Sequence, residues 1–153
     1  MRASPPTQLG TSPLWAAVYG GKTACVERLL RAPTVAVNAC AQDGSTALYV
    51  AANQDKARCL KLLLQAPGVD VNLAHTDGSS ALRSAASQGN VRCLELLLAS
   101  PNIDVNMKDR FGITALQVRH SRMIHNSHEL THLYIHTRVV RLAANFYMNL
   151  LEY

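Results

Sequence analysis

Hydrophobic and polar positions along this chain recur with a step of 34 residues. Leu14, Leu48, Leu82 and Leu116 keep that step, as do Gly10, Gly44, Gly78 and Gly112. Cys25, Cys59 and Cys93 repeat with it, and so do Pro33, Pro67 and Pro101, and Asn38, Asn72 and Asn106. The pair Leu29-Leu30 returns as Leu63-Leu64 and again as Leu97-Leu98. Agreement at so many positions marks an internal repeat, in which each copy is one small supersecondary unit.

The copy over 43–76 shows what such a unit is. Asp43-Gly44 reads as a turn, with glycine free to take a positive φ. Thr46 follows as the N-cap of a short helix, and in the first copy Ser12-Pro13 supplies a cap and a proline at the first helical position. Leu48, Ala51 and Ala52 share one face of that helix. Gln54-Asp55-Lys56 breaks it. A second helix is expected near 57–66, apolar at Cys59, Leu60, Leu63 and Leu64, and Pro67-Gly68 ends it. Val69, Val71 and Asn72 read as an extended return to the next turn. Two short helices cannot bury this stripe alone, so the copies must stack into a solenoid.

A step of 34 also suits tetratricopeptide repeats, but their W-x2-L-G-x2-Y pattern and late proline are missing. The residues resemble the ankyrin repeat family. Asp43-Gly44-Ser45-Thr46-Ala47-Leu48 is similar to its D-G-x-T-P-L, and Ser12-Pro13-Leu14 to its T-P-L. Ala51-Ala52 and Ala85-Ala86 match its alanine pair, Leu62-Leu63-Leu64 and Leu96-Leu97-Leu98 its leucines, and Val71-Asn72 and Val105-Asn106 its V-N. The family period is 33, and the extra residue is assigned to the proline-containing loop. The resemblance implies an all-α solenoid of helix-turn-helix units with protruding β-turns. Its array runs over 9–118, as copies 9–42, 43–76 and 77–110 and a partial copy 111–118, after a flexible 1–8. The family's histidine after T-P-L is replaced by Trp15, Tyr49, Arg83 and Gln117, which questions the hydrogen bonds that histidine makes. Gly21 and Gly89 keep the glycine between the helices, whereas the second copy has Asp55.

The resemblance further implies a non-enzymatic module that binds a protein partner through turn tips and first helices along a concave side. Carried over position by position, the binding residues are Gln42, Ser45, Tyr49 and Asn53, then His75, Thr76, Ser79, Arg83 and Ser87. Trp15, Tyr19, Lys108 and Arg110 extend the stripe. Trp15, Tyr49 and Arg83 are residue types enriched at binding hot spots, and they share one repeat position; packing of Trp15 and Tyr49 on neighbouring copies is the competing role. Cys25, Cys59 and Cys93 lack a nearby histidine or a C-x-x-C spacing and read as small buried hydrophobes, while Cys40, near a turn tip, reads as the reactive thiol.

From Arg119 onward the repeat is lost. His120, His125, His128, His132 and His136 crowd this segment, and Leu133, Val140, Ala143, Ala144, Tyr147, Leu150 and Leu151 recur at helical steps. A helical tail over 119–153 that covers the open end of the array is one reading, and a poorly ordered terminus is the other. His128-Glu129-Leu130-Thr131-His132 matches H-E-x-x-H, which on a helix presents two imidazoles to zinc. The metzincin extension fails at Ile135 and Arg138, and Glu152 lies beside the last residue, so a zinc hydrolase is disfavoured. His128, His132 and His136 remain candidates for simple metal affinity. A ubiquitin-ligase substrate receptor resembling ankyrin and SOCS-box proteins is the main alternative to an adaptor. Its docking box usually holds a leucine followed by a cysteine, and the tail has no cysteine.

Composition narrows this little further. The chain has 153 residues, with 48% hydrophobic, 16% charged and a net charge of +5. No basic run or basic-aromatic interleaving suggests nucleic acid. No apolar stretch is long enough to span a bilayer, and 1–10 has no apolar core of a secretory signal. Phosphate-loop, dinucleotide-binding and nucleophile-elbow motifs are missing, so no cofactor is expected. The expectation is a monomer in the cytoplasm or nucleus.

Overall fold

A computed structural model of the chain describes residues 10–118. Among them six helices follow one another in three pairs: α1 (Pro13–Tyr19) with α2 (Thr23–Leu30), α3 (Ala47–Asn53) with α4 (Ala57–Leu64), and α5 (Ala81–Gln88) with α6 (Val91–Leu98). A short 3-10 turn, Ala115–Gln117, opens the fourth copy. The architecture is the all-α solenoid expected, and α1, α3 and α5 stack in one layer while α2, α4 and α6 stack in a second.

Local chemistry starts each first helix. The hydroxyls of Ser12, Thr46 and Ser80 accept from the backbone N–H of Trp15, Tyr49 and Arg83, three residues on. Each cap satisfies an amide that the first turn leaves without a partner. Thr114 repeats the device in a full capping box with Gln117. The reversal between paired helices needs a left-handed residue. Gly21 and Gly89 take it at φ 64° and 72°, and Asp55 takes it at φ 54° without glycine's freedom.

The core is the seam between layers. Leu14, Val18, Val26, Leu60, Leu63, Leu82 and Leu97 are all fully buried. Ala51, Ala52 and Ala85 are buried with them, and their small side chains let adjacent first helices approach closely. Burying one such leucine is worth about 1.5–3 kcal/mol, and each interface between copies collects several.

Two expectations change. The return after each second helix is a succession of turns, and the only β-bridges among the described residues are the isolated pairs Cys40–Thr46 and Lys108–Thr114. The turns hold because Asp70 and Asp104 accept from the backbone N–H of Asn72 and Asn106, while buried Val71 pins the segment to the core. Cys25 is exposed, whereas Cys59 and Cys93 are buried. The cause is position in the stack. The Cys59 sulfur meets Thr23 of the copy before it and Cys93 meets the Ala51 carbonyl, but no described copy precedes Cys25.

The recurring asparagines connect copies along the other edge. Asn38 Nδ2 donates to the Gly68 carbonyl, and Asn38 Oδ1 accepts from the Asp70 N–H. Asn72 does the same one copy later, to the Asn102 carbonyl and from the Asp104 N–H. The V-N signature is therefore an inter-copy clamp whose donor and acceptor are both satisfied.

Candidate binding face

The capped starts of α1, α3 and α5 fix where the next side chains point. Trp15, Tyr49 and Arg83 sit three residues after their caps, and each reaches toward the next turn tip along the chain. Trp15 Nε1 donates to Ser45 Oγ at 2.9 Å, and its ring stacks on Tyr19 with centroids 5.0 Å apart. Tyr49 stacks on His75 at 4.8 Å. Arg83 pairs with Asp109, and its Nη1 donates to Ser79 Oγ at 2.9 Å. His75 and Asp109 are themselves one repeat apart, so a ring stack in one copy is replaced by an ion pair in the next. The position that lacks the usual histidine still ties the stack together, by three different contacts. Much of each side chain is consumed in doing so, and Trp15, Tyr49 and Arg83 are all only partly exposed.

The other predicted residues divide by exposure. Tyr19 (54% exposed), Gln42, Thr76, Lys108 and Arg110 face solvent. Asn53, His75 and Ser87 are half-buried, and Asn53 Nδ2 donates to Ser84 Oγ inside the stack. Ser45 and Ser79 do not belong to an open surface: they are 2% and 1% exposed. Their hydroxyls meet Trp15 and Arg83 and their N–H groups cap Asp43 and Asp77, so the turn geometry itself draws them inward.

Hydrogen bonds tie the tips together and tune their electrostatics. The side chain and N–H of Ser45 donate to Asp43 and hold its carboxyl below its ordinary value, against some desolvation and with help from nearby His75. At Asp77 burial pushes the other way, but hydrogen bonds from Ser79 and His75 win and lower it too. His75 Nδ1 lies 3.1 Å from Asp77, and its Nε2 lies 3.9 Å from Asp43, so one ring spans two tips. Thr76 Oγ1 donates to the Asp43 carbonyl at 2.8 Å.

One residue of this face escaped the reading of the sequence. Phe111 is 70% exposed, on the same row of tips. The available signal was its register: Phe111 falls where the first two tips have Asp43 and Asp77.

Reactive chemistry is sparse here. Among the described residues, no three His, Cys, Asp or Glu side chains converge in a way that would hold a metal ion. Burial, reinforced by the charge of Asp55, pushes the Cys93 thiol up to about 12, which keeps it protonated and poorly nucleophilic. The H-E-x-x-H match, the candidate ligands His128, His132 and His136, and the whole 119–153 segment lie outside the described residues.

Comparison with known proteins agrees with the geometry. A family profile described as "Ankyrin repeats (3 copies)" matches residues 3–75, and one described as "Ankyrin repeat" matches 77–110. No curated protein matches the chain. Among solved structures, that of EF0377, an ankyrin repeat protein, superposes with a TM-score of 0.70 at 24% identity and covers 76% of this chain. This chain spans 58% of the length of that one. The repeats, the helix pairs and the matched profiles together show that the chain belongs to the ankyrin repeat family.

Proposed function

We propose that the chain is a non-enzymatic adaptor that binds a protein partner along its tips and the exposed parts of its first helices. The observation that carries this is the distribution of exposed apolar surface. The large exposed hydrophobics among the described residues are Tyr19 and Phe111, one on the first-helix layer and one on a tip, and none lies on α2, α4 or α6. Unburied aromatic area of this kind, on a frame stiffened by inter-copy contacts, favours association because little ordering is needed on binding. Polar neighbours at Gln42, Thr76, Lys108 and Arg110 supply a rim of donors and charge. The reading includes a monomer acting in the cytoplasm or nucleus.

The test compares two faces of the array. Partners recovered by quantitative affinity purification with the wild type are measured again with Tyr19→Ala/Gln42→Ala and with Arg58→Ala/Lys61→Ala. Selective loss with the first pair is expected. Retention with the first pair and loss with the second would move the binding face to the outer helices.

A further inference from the structure

The third tip is built differently from the other two, and the difference displays an aromatic ring. In the first two tips the turn is held by the carboxylate at one repeat position: Asp43 accepts from the Ser45 N–H at 2.9 Å, and Asp77 accepts from the Ser79 N–H at 2.8 Å. At that position the third tip has Phe111, which has no acceptor to offer. Asp109, two residues earlier, takes over. It accepts from the N–H groups of both Phe111 and Ile113 at 2.9 Å, and it is buried against Arg83. With the turn secured from inside, position 111 is released from structural duty, and its ring stands 70% exposed.

Charge gathers around that ring. The Arg110 guanidinium lies over it, 4.8 Å from the centroid, a cation-π arrangement that orders both side chains. Lys108 is exposed on the same tip. The nearest carboxylate in sequence, Asp109, is already neutralised by Arg83. The backbone is fixed as well: the Arg110 N–H donates to the Asp77 carbonyl at 3.0 Å, and the Gly112 N–H to the Asp109 carbonyl at 2.9 Å. A rigid aromatic beside an arginine is the composition of an interface hot spot.

We propose that the tip from Lys108 to Gly112 anchors an acidic protein segment carrying large apolar side chains. The apolar groups pack on Phe111, and carboxylates pair with Arg110 and Lys108. The proposal rests on the protein-binding reading above and adds the chemistry of the partner. A lipid surface is the weaker occupant, since one ring and two cations lack the apolar helix face that membrane-surface elements use.

The experiment selects binders from a random-peptide library displayed on phage, panned on the full chain, and measures the best one as a free peptide. Two variants decide the outcome. Phe111→Asp restores the residue of the other two tips, so the turn is expected to hold, checked by an unchanged melting curve. Arg110→Glu reverses the charge. The expected result is enrichment of peptides that combine acidic with large apolar residues, with affinity falling about tenfold or more in each variant. The Arg110→Glu difference should shrink as salt rises. Failure to enrich such peptides overturns the proposal, as does a selected peptide that binds Phe111→Asp as tightly as wild type. If that peptide loses affinity with Tyr19→Ala, the binding face stands and only the anchor falls. If Tyr19→Ala leaves it unchanged too, the wider reading fails as well. Binding to phosphatidylserine vesicles lost in Phe111→Asp, or a dimer dissociated by Phe111→Asp, also overturns it in favour of lipid or of a second copy. A photo-crosslinker placed at 111 that captures 119–153 of its own chain does the same.

Discussion

Two glycines with almost the same backbone angle should respond very differently to alanine. Gly68 has φ 75° and Gly78 has φ 80°, so a Cβ at either is strained by about 1–2 kcal/mol in the left-handed region. Alanine also restricts the unfolded chain, which offsets about 0.4–1 kcal/mol in both cases. These two contributions cancel in the comparison. What does not cancel is space. A Cβ on Gly68 meets nothing within 4 Å, whereas one on Gly78 would lie 2.9 Å from the Arg110 nitrogen and 3.1 Å from the Asp109 Cα. Those are backbone atoms, so the next tip must move away. Its link from the Arg110 N–H to the Asp77 carbonyl, now 3.0 Å, would stretch or break, at about 1 kcal/mol. Gly78→Ala should therefore cost at least ~1 kcal/mol more than Gly68→Ala, a large share of the ~5–15 kcal/mol stability of a domain this size. Urea unfolding followed by circular dichroism measures both variants, with equal m-values as the check on the two-state assumption. Amide exchange at Arg110 should quicken only in Gly78→Ala. Equal destabilisation by the two changes would refute the idea that close approach of adjacent tips dictates glycine at 78.

Other outcomes follow from single contacts. A thiol reagent applied to the native protein should modify exposed Cys25 and Cys40 first and Cys93 last, because burial and Asp55 keep the Cys93 thiol protonated; Cys93 reacting as fast as Cys40 would contradict this. Asp55→Gly relieves a side chain from φ 54° and should raise stability by up to ~1 kcal/mol while lowering the pKa of Cys93; a reduced urea midpoint would refute it. Asp43 and Asp77 have folded pKa values below their unfolded ones, so the stability they add is present above the unfolded carboxylate pKa and is lost as pH falls through the folded value. Wild type should thus converge on Asp43→Asn/Asp77→Asn in melting temperature between about pH 5 and pH 2; a constant gap would exclude the linkage.

The order of elements was legible because each helix start and stop is local chemistry. Ser12, Thr46 and Ser80 cap with their own hydroxyls, and a period that returns Leu14, Leu48 and Leu82 to one face needs no tertiary information to be seen. The family follows from the same spacing. The binding face was legible only in part, since a repeat position says which layer a residue occupies and not what it touches. Trp15, Tyr49 and Arg83 share one position, yet their partners at the next turn tip are a serine, a histidine and an aspartate, chosen by side-chain reach after stacking. Ser45 and Ser79, polar and placed at tips, looked open and are closed, because the carboxylate-held turn folds them under the neighbouring side chain.

By itself the sequence determined the unit, its period and its class, because caps, turns and a helical stripe are decided within one copy. The tertiary structure decided everything that depends on a neighbour. It left Cys25 exposed while burying Cys59 and Cys93, since burial at that position comes from the preceding copy. It also turned Phe111 outward, because Asp109, paired with Arg83 from 26 residues earlier in the chain, had already secured the turn.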